Sequence, residues 1–426
     1  MSATSNSPEL FEPLNPPPRL LMGPGPINCD PRVLHAMAMP PLGHSDPTFW
    51  RYMDETMVLL RQLFRTENHW SFLVNGSARA GIEALMISII APGDRVLVPI
   101  FGRFGHLLTE IAERCGAETS TIEVEWGAVF DPAQIDAAIQ KHQPKLVALV
   151  HGDTSTTTVQ PLAEIGPICR RHGAFLFVDA TATLGGMPFE TDTWQIDAVA
   201  AGLQKCLSGP PGTALVSLNE RVVEAIATRQ HIEHGIAPAD FEPPLGPKIQ
   251  SNYLDIPMLM KWWSGTRLPH HTEATPMLYA ARECARIALA DGLETSFGRH
   301  QLSSNALTAG LEAMNLELFG DRAHKMPNVT GVLIPNGIDG EAVRRDMLDC
   351  FGIEIGTSFG PLQGKIWRIG TMGYNCRRQN VLICLAALET ALLRRGYPAR
   401  AGAAVEAALG VYDVWDARST PAALAN

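Results

Sequence analysis

Charged residues are scarce in this sequence, and cysteine pairs and long apolar runs are missing from it. Only 18% of its 426 residues are charged and 46% are apolar, a balance typical of a large globular protein and not of a disordered chain. The eight cysteines include no Cys-x-x-Cys pair, so disulfide and zinc frameworks lack their usual spacing. The start of the chain has no basic segment followed by an apolar one. The sequence therefore predicts a cytoplasmic protein with reduced thiols and no membrane span.

Several ligand classes are also disfavoured. The net charge of −10 opposes binding to nucleic acid or to an anionic membrane, so neither is predicted as a partner. No Gly-x-Gly-x-x-Gly motif follows the first strand, which leaves a dinucleotide site without support. His270 and His271 look like a metal pair. Adjacent residues of a strand point to opposite faces, however, and no third ligand lies at a useful spacing, so no metal is predicted.

The length of the chain favours two domains. Apolar runs that read as strands alternate with helical segments in the first two thirds, and this predicts an α/β fold with a mostly parallel sheet. After residue 290 the pattern changes to that of a smaller α+β C-terminal domain. The predicted division is an N-terminal arm (1–20), a large domain (21–290), a small domain (291–400) and a C-terminal tail (401–426).

Polar clusters follow the predicted strands of the large domain. In parallel sheets, ligands bind beyond the carboxyl ends of the strands, so these clusters are expected to share one pocket. They are Asn75–Arg79, His151–Ser155, Asp179 and Gln204–Lys205.

Lys205 and Asp179 are the most informative members of these clusters. Asp179 closes one apolar run, and Lys205 follows the next run and precedes Pro210-Pro211-Gly212. A lysine can condense with the aldehyde of pyridoxal 5′-phosphate as a Schiff base, and a carboxylate can keep the pyridine nitrogen of this cofactor protonated. The alternatives are an exposed loop lysine and a helix-capping aspartate.

Other residues fit the same cofactor, although each has an ordinary structural alternative. Ser77, at a strand-to-helix turn, can bind a phosphate or simply start a helix. Thr154 or Ser155 can bond the phenolic oxygen or belong to a polar turn. Phe104 can stack on the ring or only pack. Arg368 can bind a substrate carboxylate through its planar fork, or form an interdomain ion pair.

Taken together, these motifs identify a family resemblance. From about Leu20 to Pro398 the chain resembles the class V, fold type I pyridoxal phosphate enzymes, and within them the alanine–, serine– and ureidoglycine–glyoxylate aminotransferases. It looks most similar to the ureidoglycine branch, which belongs to purine breakdown. The motifs that carry the resemblance are Leu21–Pro26, Gly43–Asp46, Asn75–Arg79, Phe101–Leu108, His151–Ser155, Val178–Thr181, Gln204–Cys206, His270–Thr272, Phe351–Pro361 and Trp367–Asn375.

The resemblance implies a role for each site residue. Lys205 would carry the Schiff base and Asp179 would contact the pyridine nitrogen, with Phe104 stacked on the ring. Arg368 would bind the carboxylate of an amino donor or of a 2-oxo acid acceptor. Thr272 would reach the phosphate of the neighbouring subunit's cofactor, which implies a homodimer with shared active sites. The remaining cofactor contacts would come from Ser77, Ala78, Arg79, Thr154, Thr181 and Gln204.

At two positions the sequence departs from the ureidoglycine branch. That branch has glutamine where His44 stands and asparagine where Pro269 stands, and both amides are expected to bind the ureido group. Sites built on hydrogen bonds discriminate strongly, so these substrate-binding positions leave the amino donor open. The prediction is ureidoglycine, and the alternative is alanine or serine.

Two further alternatives depart from transamination. A lyase of the same fold, such as a cysteine desulfurase, needs a mobile cysteine, for which Cys376 is the candidate. A catalytically silent scaffold is disfavoured because Lys205, Asp179 and Arg368 are all present.

Overall fold

The structure is a computed structural model that describes residues 11–242 and 246–419. Within these ranges the strands are β1 Leu20–Leu21, β2 Trp70–Asn75, β3 Arg95–Ile100, β4 Glu118–Glu123, β5 Leu146–Val150, β6 Gly152–Asp153, β7 Thr158–Val159, β8 Phe175–Asp179, β9 Ala198–Gly202, β10 Thr213–Leu218, β11 Val329–Leu333, β12 Ile353–Glu354, β13 Gly356–Thr357 and β14 Ile366–Gly370. The helices are α1 Pro31–Met37, α2 Pro47–Phe64, α3 Ala78–Ile89, α4 Arg103–Arg114, α5 Pro132–His142, α6 Ile165–Arg171, α7 Glu220–Ala227, α8 Ile256–Trp263, α9 Thr275–Asp291, α10 Leu293–Ala313, α11 Gly340–Phe351, α12 Arg378–Arg394 and α13 Ala403–Ser419.

A seven-stranded sheet in the order β2-β10-β9-β8-β5-β3-β4 is formed by strands between residues 70 and 218. Only β10 in this sheet runs antiparallel to its neighbours. Strands β5 and β9 are buried at every residue, as expected for strands covered by helices on both faces. The predicted α/β fold with a mostly parallel sheet is confirmed.

The register of the sheet brings strand ends together. Val150 at the end of β5 pairs with Asp179 at the end of β8, and Asp179 pairs with Ala200 in β9. The loops that follow these strands therefore begin at the same edge, as the sequence predicts.

The C-terminal part contains an antiparallel sheet in the order β11-β14-β13 and a second hydrophobic core. Met22 near the N-terminus and Ala404, Ala408 and Tyr412 of α13 are buried in that core. Strand β1 adds to it by pairing with β12. The division into arm, two domains and tail stays a prediction, and residues 1–10 and 420–426 lie outside the described ranges. No helix in those ranges is long and apolar enough to cross a membrane.

Helix α3 packs closely on the sheet at Gly81. A Cβ atom there would lie 2.7 Å from the Ala214 Cβ atom and 3.0 Å from the Val216 Cγ1 atom. The backbone of α3 can therefore approach β10 only where a side chain is missing. This contact sets the position of the first turn of α3, which faces the site described below.

We predict that Gly81→Ala lowers the melting temperature, because overpacking at such a contact costs about 1–3 kcal/mol. Gly298→Ala in α10 is the matched control, since its nearest neighbour would be Trp415 at 4.0 Å. Alanine there should raise the melting temperature through its better helix propensity. Equal effects of the two substitutions in differential scanning calorimetry would contradict this account.

Candidate active site

Loops after β2, β3, β5, β8 and β9 surround a cavity of about 200 Å³ at the carboxyl edge of the sheet. Nine of the predicted site residues line it together: Ser77, Ala78, Arg79, Phe104, Thr154, Asp179, Thr181, Gln204 and Lys205. The structure thus brings together the polar clusters that the sequence predicts to share a pocket. The chemical role of each residue stays a prediction.

Lys205 lies in the loop after β9, and its Nζ atom donates a hydrogen bond to the Pro24 carbonyl oxygen. Burial lowers the pKa of its amine to about 8, and the nearby Arg368 guanidinium acts in the same direction. Gly25 leaves room for the lysine, because a Cβ atom at Gly25 would lie 2.6 Å from Lys205 Nζ. A lysine of this kind is partly uncharged near neutral pH and can act as a nucleophile or a base.

Asp179 ends β8 and is 5% exposed. Its Oδ1 atom accepts a hydrogen bond from the Thr181 backbone N–H at 2.9 Å. Burial raises the pKa of this carboxyl, whereas the bond from Thr181 opposes the rise. A cationic ligand placed against Asp179 would favour the ionised carboxylate.

The first turn of α3 gives the cavity the features of a phosphate site. Ser77 is the N-cap residue of α3, yet its side chain makes no capping bond, so free N–H groups of a helix start border the cavity. Two buried oxygens, Thr181 Oγ1 and Gln204 Oε1, have no hydrogen-bond partner among the described residues. Buried polar atoms usually have partners. Together with an aldehyde-reactive lysine and a carboxylate, these groups fit pyridoxal phosphate.

Phe104 is held in the cavity wall by Asp153, which the sequence analysis did not single out. Asp153 is fully buried, and its Oδ2 atom accepts from the Phe104 backbone N–H at 2.8 Å. Its Oδ1 atom accepts from the Ser155 N–H at 2.8 Å and from the Ser155 Oγ–H at 2.6 Å. The only signal in the sequence is a carboxylate next to Thr154.

Arg368, in β14 of the C-terminal sheet, lies beside the cavity without lining it. The side chain is buried, and it donates from Nη1 to the Thr154 carbonyl oxygen at 2.8 Å and from Nε to the Thr357 carbonyl oxygen. Burial lowers its pKa to about 10, so it remains a cation at neutral pH. Its Cζ atom lies 5.0 Å from the centre of the Phe359 ring. Nη2 is left to bind a carboxylate.

His44, Pro269 and Thr272 do not line this cavity. Pro269 and Thr272 are exposed, and His44 is half-buried, with its ring 5.8 Å from the ring of Trp262. The cavity of one chain is therefore built without the two positions at which the sequence departs from the ureidoglycine pattern.

His270 and His271 lie in a loop, and the expectation that they belong to a strand and face opposite ways is wrong. Their Nδ1 atoms are 2.7 Å apart. His270 Nε2 faces the Asn252 carbonyl oxygen at 3.2 Å, and His271 Nε2 is 2.6 Å from Asn75 Nδ2. A carbonyl oxygen only accepts, so His270 Nε2 donates to Asn252. His270 Nδ1 then accepts from His271 Nδ1, and His271 Nε2 accepts from Asn75 Nδ2.

Comparison with known proteins gives the family. The model of the class-V aminotransferases matches residues 44–236. The (S)-ureidoglycine–glyoxylate transaminase of Bacillus subtilis is 55% identical over 93% of this chain and 96% of that protein. The chain belongs to the class-V aminotransferases.

Members of this family depend on pyridoxal phosphate. Because its relatives are transaminases, the chain is a transaminase too. A crystal structure of ureidoglycine–glyoxylate aminotransferase from Bacillus subtilis matches with a TM-score of 0.90 and 53% identity, covering 94% of this chain and all of that one. Alanine–glyoxylate aminotransferase of Callithrix jacchus is 35% identical over 90% of each chain. Fold type I architecture is shared with these relatives.

Cys376 does not have the properties of a desulfurase cysteine. It is fully buried, and its Sγ atom lies 3.3 Å from the Arg299 carbonyl oxygen. Burial raises the pKa of the thiol to about 11, so it stays protonated at neutral pH. A persulfide carrier needs an accessible thiolate.

We predict that Lys205 in cofactor-free protein reacts with acetic anhydride over a pH range centred near 8. Its folded-state pKa is below that of a free lysine, so the reactive amine accumulates as pH rises through about 8. Mass spectrometry of the Lys205 peptide after competitive labelling measures this, with the exposed Lys141 as internal reference for reagent decay. If the labelling rate of Lys205 reached half of its maximum only above pH 10, the burial of its amine described here would be contradicted.

Proposed function

We propose that this transaminase binds pyridoxal 5′-phosphate at Lys205 and transfers an amino group from ureidoglycine to glyoxylate. We further propose that it works as a homodimer in the cytoplasm. The observation that carries the proposal is that Lys205 and Asp179 line one cavity, with Arg368 bonded to the backbone of the lining residue Thr154 and close enough to lower the pKa of Lys205. An amine nucleophile, a buried carboxylate and a carboxylate-binding guanidinium are the groups that amino-group transfer on this cofactor requires.

When bound, pyridoxal phosphate supplies an aldehyde for primary amines and a ring that accepts the electron pair left when the α-proton departs. Lys205 would hold the cofactor until a donor amine displaces it. Burial, which lowers the pKa of Lys205 to about 8 in the cofactor-free protein, favours the neutral amine, so the freed Nζ atom could take the α-proton from the donor and deliver it to the former aldehyde carbon, two bonds from the α-carbon. The Asp179 carboxylate would keep a proton on the pyridine nitrogen, because the buried anion and the pyridinium cation stabilise each other.

The phosphate would be held by the start of α3. The N–H groups of Ala78 and Arg79 and the Ser77 hydroxyl provide donors at a helix N-terminus, whose dipole favours an anion. The Gln204 amide group completes this end of the cavity. Phe104 covers the ring, and the Thr154 hydroxyl is available to the phenolic oxygen. Thr181, next to Asp179, provides a further hydroxyl.

Arg368 would select substrates that carry a carboxylate. Two of its nitrogens are bound by backbone carbonyl oxygens of Thr154 and Thr357, which fixes the plane of the guanidinium. A rigid fork of this kind binds donor and acceptor carboxylates in one orientation. It therefore places the α-carbon of either substrate at the same point relative to Lys205.

Ureidoglycine as donor is supported by the 55% identity to the Bacillus subtilis transaminase, which exceeds the 35% to the Callithrix jacchus alanine enzyme. His44 and Pro269 support the alternative, alanine or serine as donor, since neither offers a side-chain amide. Pro269 and Thr272 are exposed and His44 is half-buried, which fits a surface that meets a second subunit. A homodimer with shared sites would bring them to the neighbour's cavity.

The test is a pair of half-reactions followed by absorbance. Purified holoenzyme should be yellow, lose its long-wavelength band with ureidoglycine and regain it with glyoxylate. Lys205→Ala should abolish the cycle, and borohydride should fix the cofactor to the Lys205 peptide of the wild-type protein. Bleaching by alanine or serine but not by ureidoglycine would select the alternative donor. A protein that neither binds the cofactor nor bleaches with any amino acid would refute the proposal.

We predict that Arg368→Lys raises the KM for donor and acceptor about 10- to 100-fold, since a flexible point charge replaces a planar guanidinium that is anchored on two backbone carbonyl oxygens. The effect on kcat should be smaller, because Lys205 and Asp179 are unchanged. Arg344→Lys, on the surface helix α11, is the control and should leave both constants as they are. Steady-state kinetics with each substrate varied in turn measures the difference. An unchanged KM would remove Arg368 from the substrate site.

A further inference from the structure

Asp153 is a buried charge that the proposed mechanism does not use. It ends the two-residue strand β6, which follows β5, and the nearby His151 and Thr154 are buried too. Both of its carboxylate oxygens accept hydrogen bonds, one from Phe104 and the other from two donors of Ser155. A fully buried carboxylate is costly to retain, which raises the question of what it contributes.

Its first contact replaces a missing helix cap. The N-cap residue of α4 is Gly102, which has no side chain to bond the free N–H groups of that helix. Asp153 supplies the acceptor from another loop, at the backbone N–H of Phe104, where the helix dipole favours a negative charge. The chain leaves space for this contact, since a Cβ atom at Gly102 would lie 2.4 Å from Asp153 Cγ.

Its second effect is electrostatic. Asp153 stabilises the charged forms of Arg368 and Lys205, and it opposes ionisation of Asp179. These three groups are the charges that face it. Burial raises the pKa of Asp153 itself, and the hydrogen bonds from Ser155 and Phe104 and the charge of Arg368 oppose that rise.

Its third connection runs to the small domain. Ser155, which donates twice to Asp153, also accepts at its carbonyl oxygen a hydrogen bond of 2.7 Å from Ser358 Oγ. The adjacent Thr154 carbonyl oxygen accepts from Arg368 Nη1. One short loop thus contacts both the start of α4 and the strand that carries Arg368.

We propose that Asp153 is a positioning residue that fixes Phe104 through its backbone N–H and Arg368 through the Thr154–Ser155 segment, and that it supplies a second fixed anion beside Lys205. This inference rests on the proposed function, because it concerns the same cofactor site. It extends that function by naming the residue that holds Phe104 and Arg368, which are distant in sequence, in place at the same site.

The test compares Asp153→Asn with Ser155→Ala in the holoenzyme. Asparagine can still accept from Ser155, but its amide N–H₂ would face the Phe104 N–H, so a charge-assisted bond becomes a contact between donors. The dissociation constant of the cofactor should rise about 10-fold or more. The pH midpoint of the long-wavelength absorbance, which reports protonation at Lys205 Nζ, should move to lower pH because the cation loses an anion beside it.

Ser155→Ala removes one hydroxyl donor from Asp153 and keeps its charge. The cofactor should bind more weakly than in the wild type, and the pH midpoint should stay where it is. Equal midpoints in Asp153→Asn and the wild type would overturn the proposal. A decrease of the pH midpoint by the same amount in Asp153→Asn and Ser155→Ala would also overturn the proposal, because Ser155→Ala keeps the charge and the decrease would then arise from packing.

Gly102→Ala is the second variant if Asp153→Asn does not fold. The backbone of Gly102 is extended, with φ at 178°, so alanine is accepted without backbone strain and acts by displacing the Asp153 carboxylate. It should weaken cofactor binding at least about 5-fold, and unchanged affinity would overturn the proposal.

The two proposals fail separately. If the wild type does not bind the cofactor, the proposed function is wrong. If the wild type binds the cofactor and the variants behave as the wild type does, only the role of Asp153 is refuted.

Discussion

The site depends on the enclosure of four charged side chains, two of each sign, at the carboxyl edge of a parallel sheet. Lys205 and Arg368 are the cations, and Asp153 and Asp179 are the anions. Withdrawal from water disfavours each charge alone, and the opposite charges offset part of this cost. The result is a lysine whose pKa of about 8 lets it change protonation near neutral pH. Chemistry at an amine needs this property, and a lysine in water lacks it.

The sheet provides this enclosure through its register, and segments from outside the sheet complete it. The segment around Pro24 brings its carbonyl oxygen to Lys205 Nζ, and pairing of β1 with β12 fixes that segment on the C-terminal part of the chain. Arg368 enters from β14 of the same part. The cavity is thus closed by parts of the chain that are distant in sequence, so substrate recognition and cofactor binding both depend on how the two cores pack against each other.

Much of the fold could be predicted because its central strands are continuous apolar runs. The runs before Val150 and Asp179 indicated buried parallel strands, and the polar residues after them indicated a shared pocket. Strand β4 was missed because its residues are largely exposed and polar. The direction of β10 was missed too, although residues 203–212 are too short a connection for a crossover helix.

Tertiary contacts explain what sequence reasoning could not reach at the site. Asp153 becomes informative only when its carboxylate is seen against the Phe104 N–H of a helix without a cap. The contact between His270 and His271 depends on Asn75 and Asn252, which no spacing rule connects to them. The helix in the predicted tail packs its alanines into the second core, and composition alone does not show such docking.

The central claim is that Lys205 and Asp179 hold opposite ends of one cofactor in this cavity. A crystal structure of the protein grown with pyridoxal phosphate tests it most directly. The account predicts density continuous with Lys205 Nζ, a pyridine nitrogen against the Asp179 carboxylate and a phosphate at the start of α3. Density at another lysine, or a cofactor whose phosphate lies away from Ser77, would contradict it.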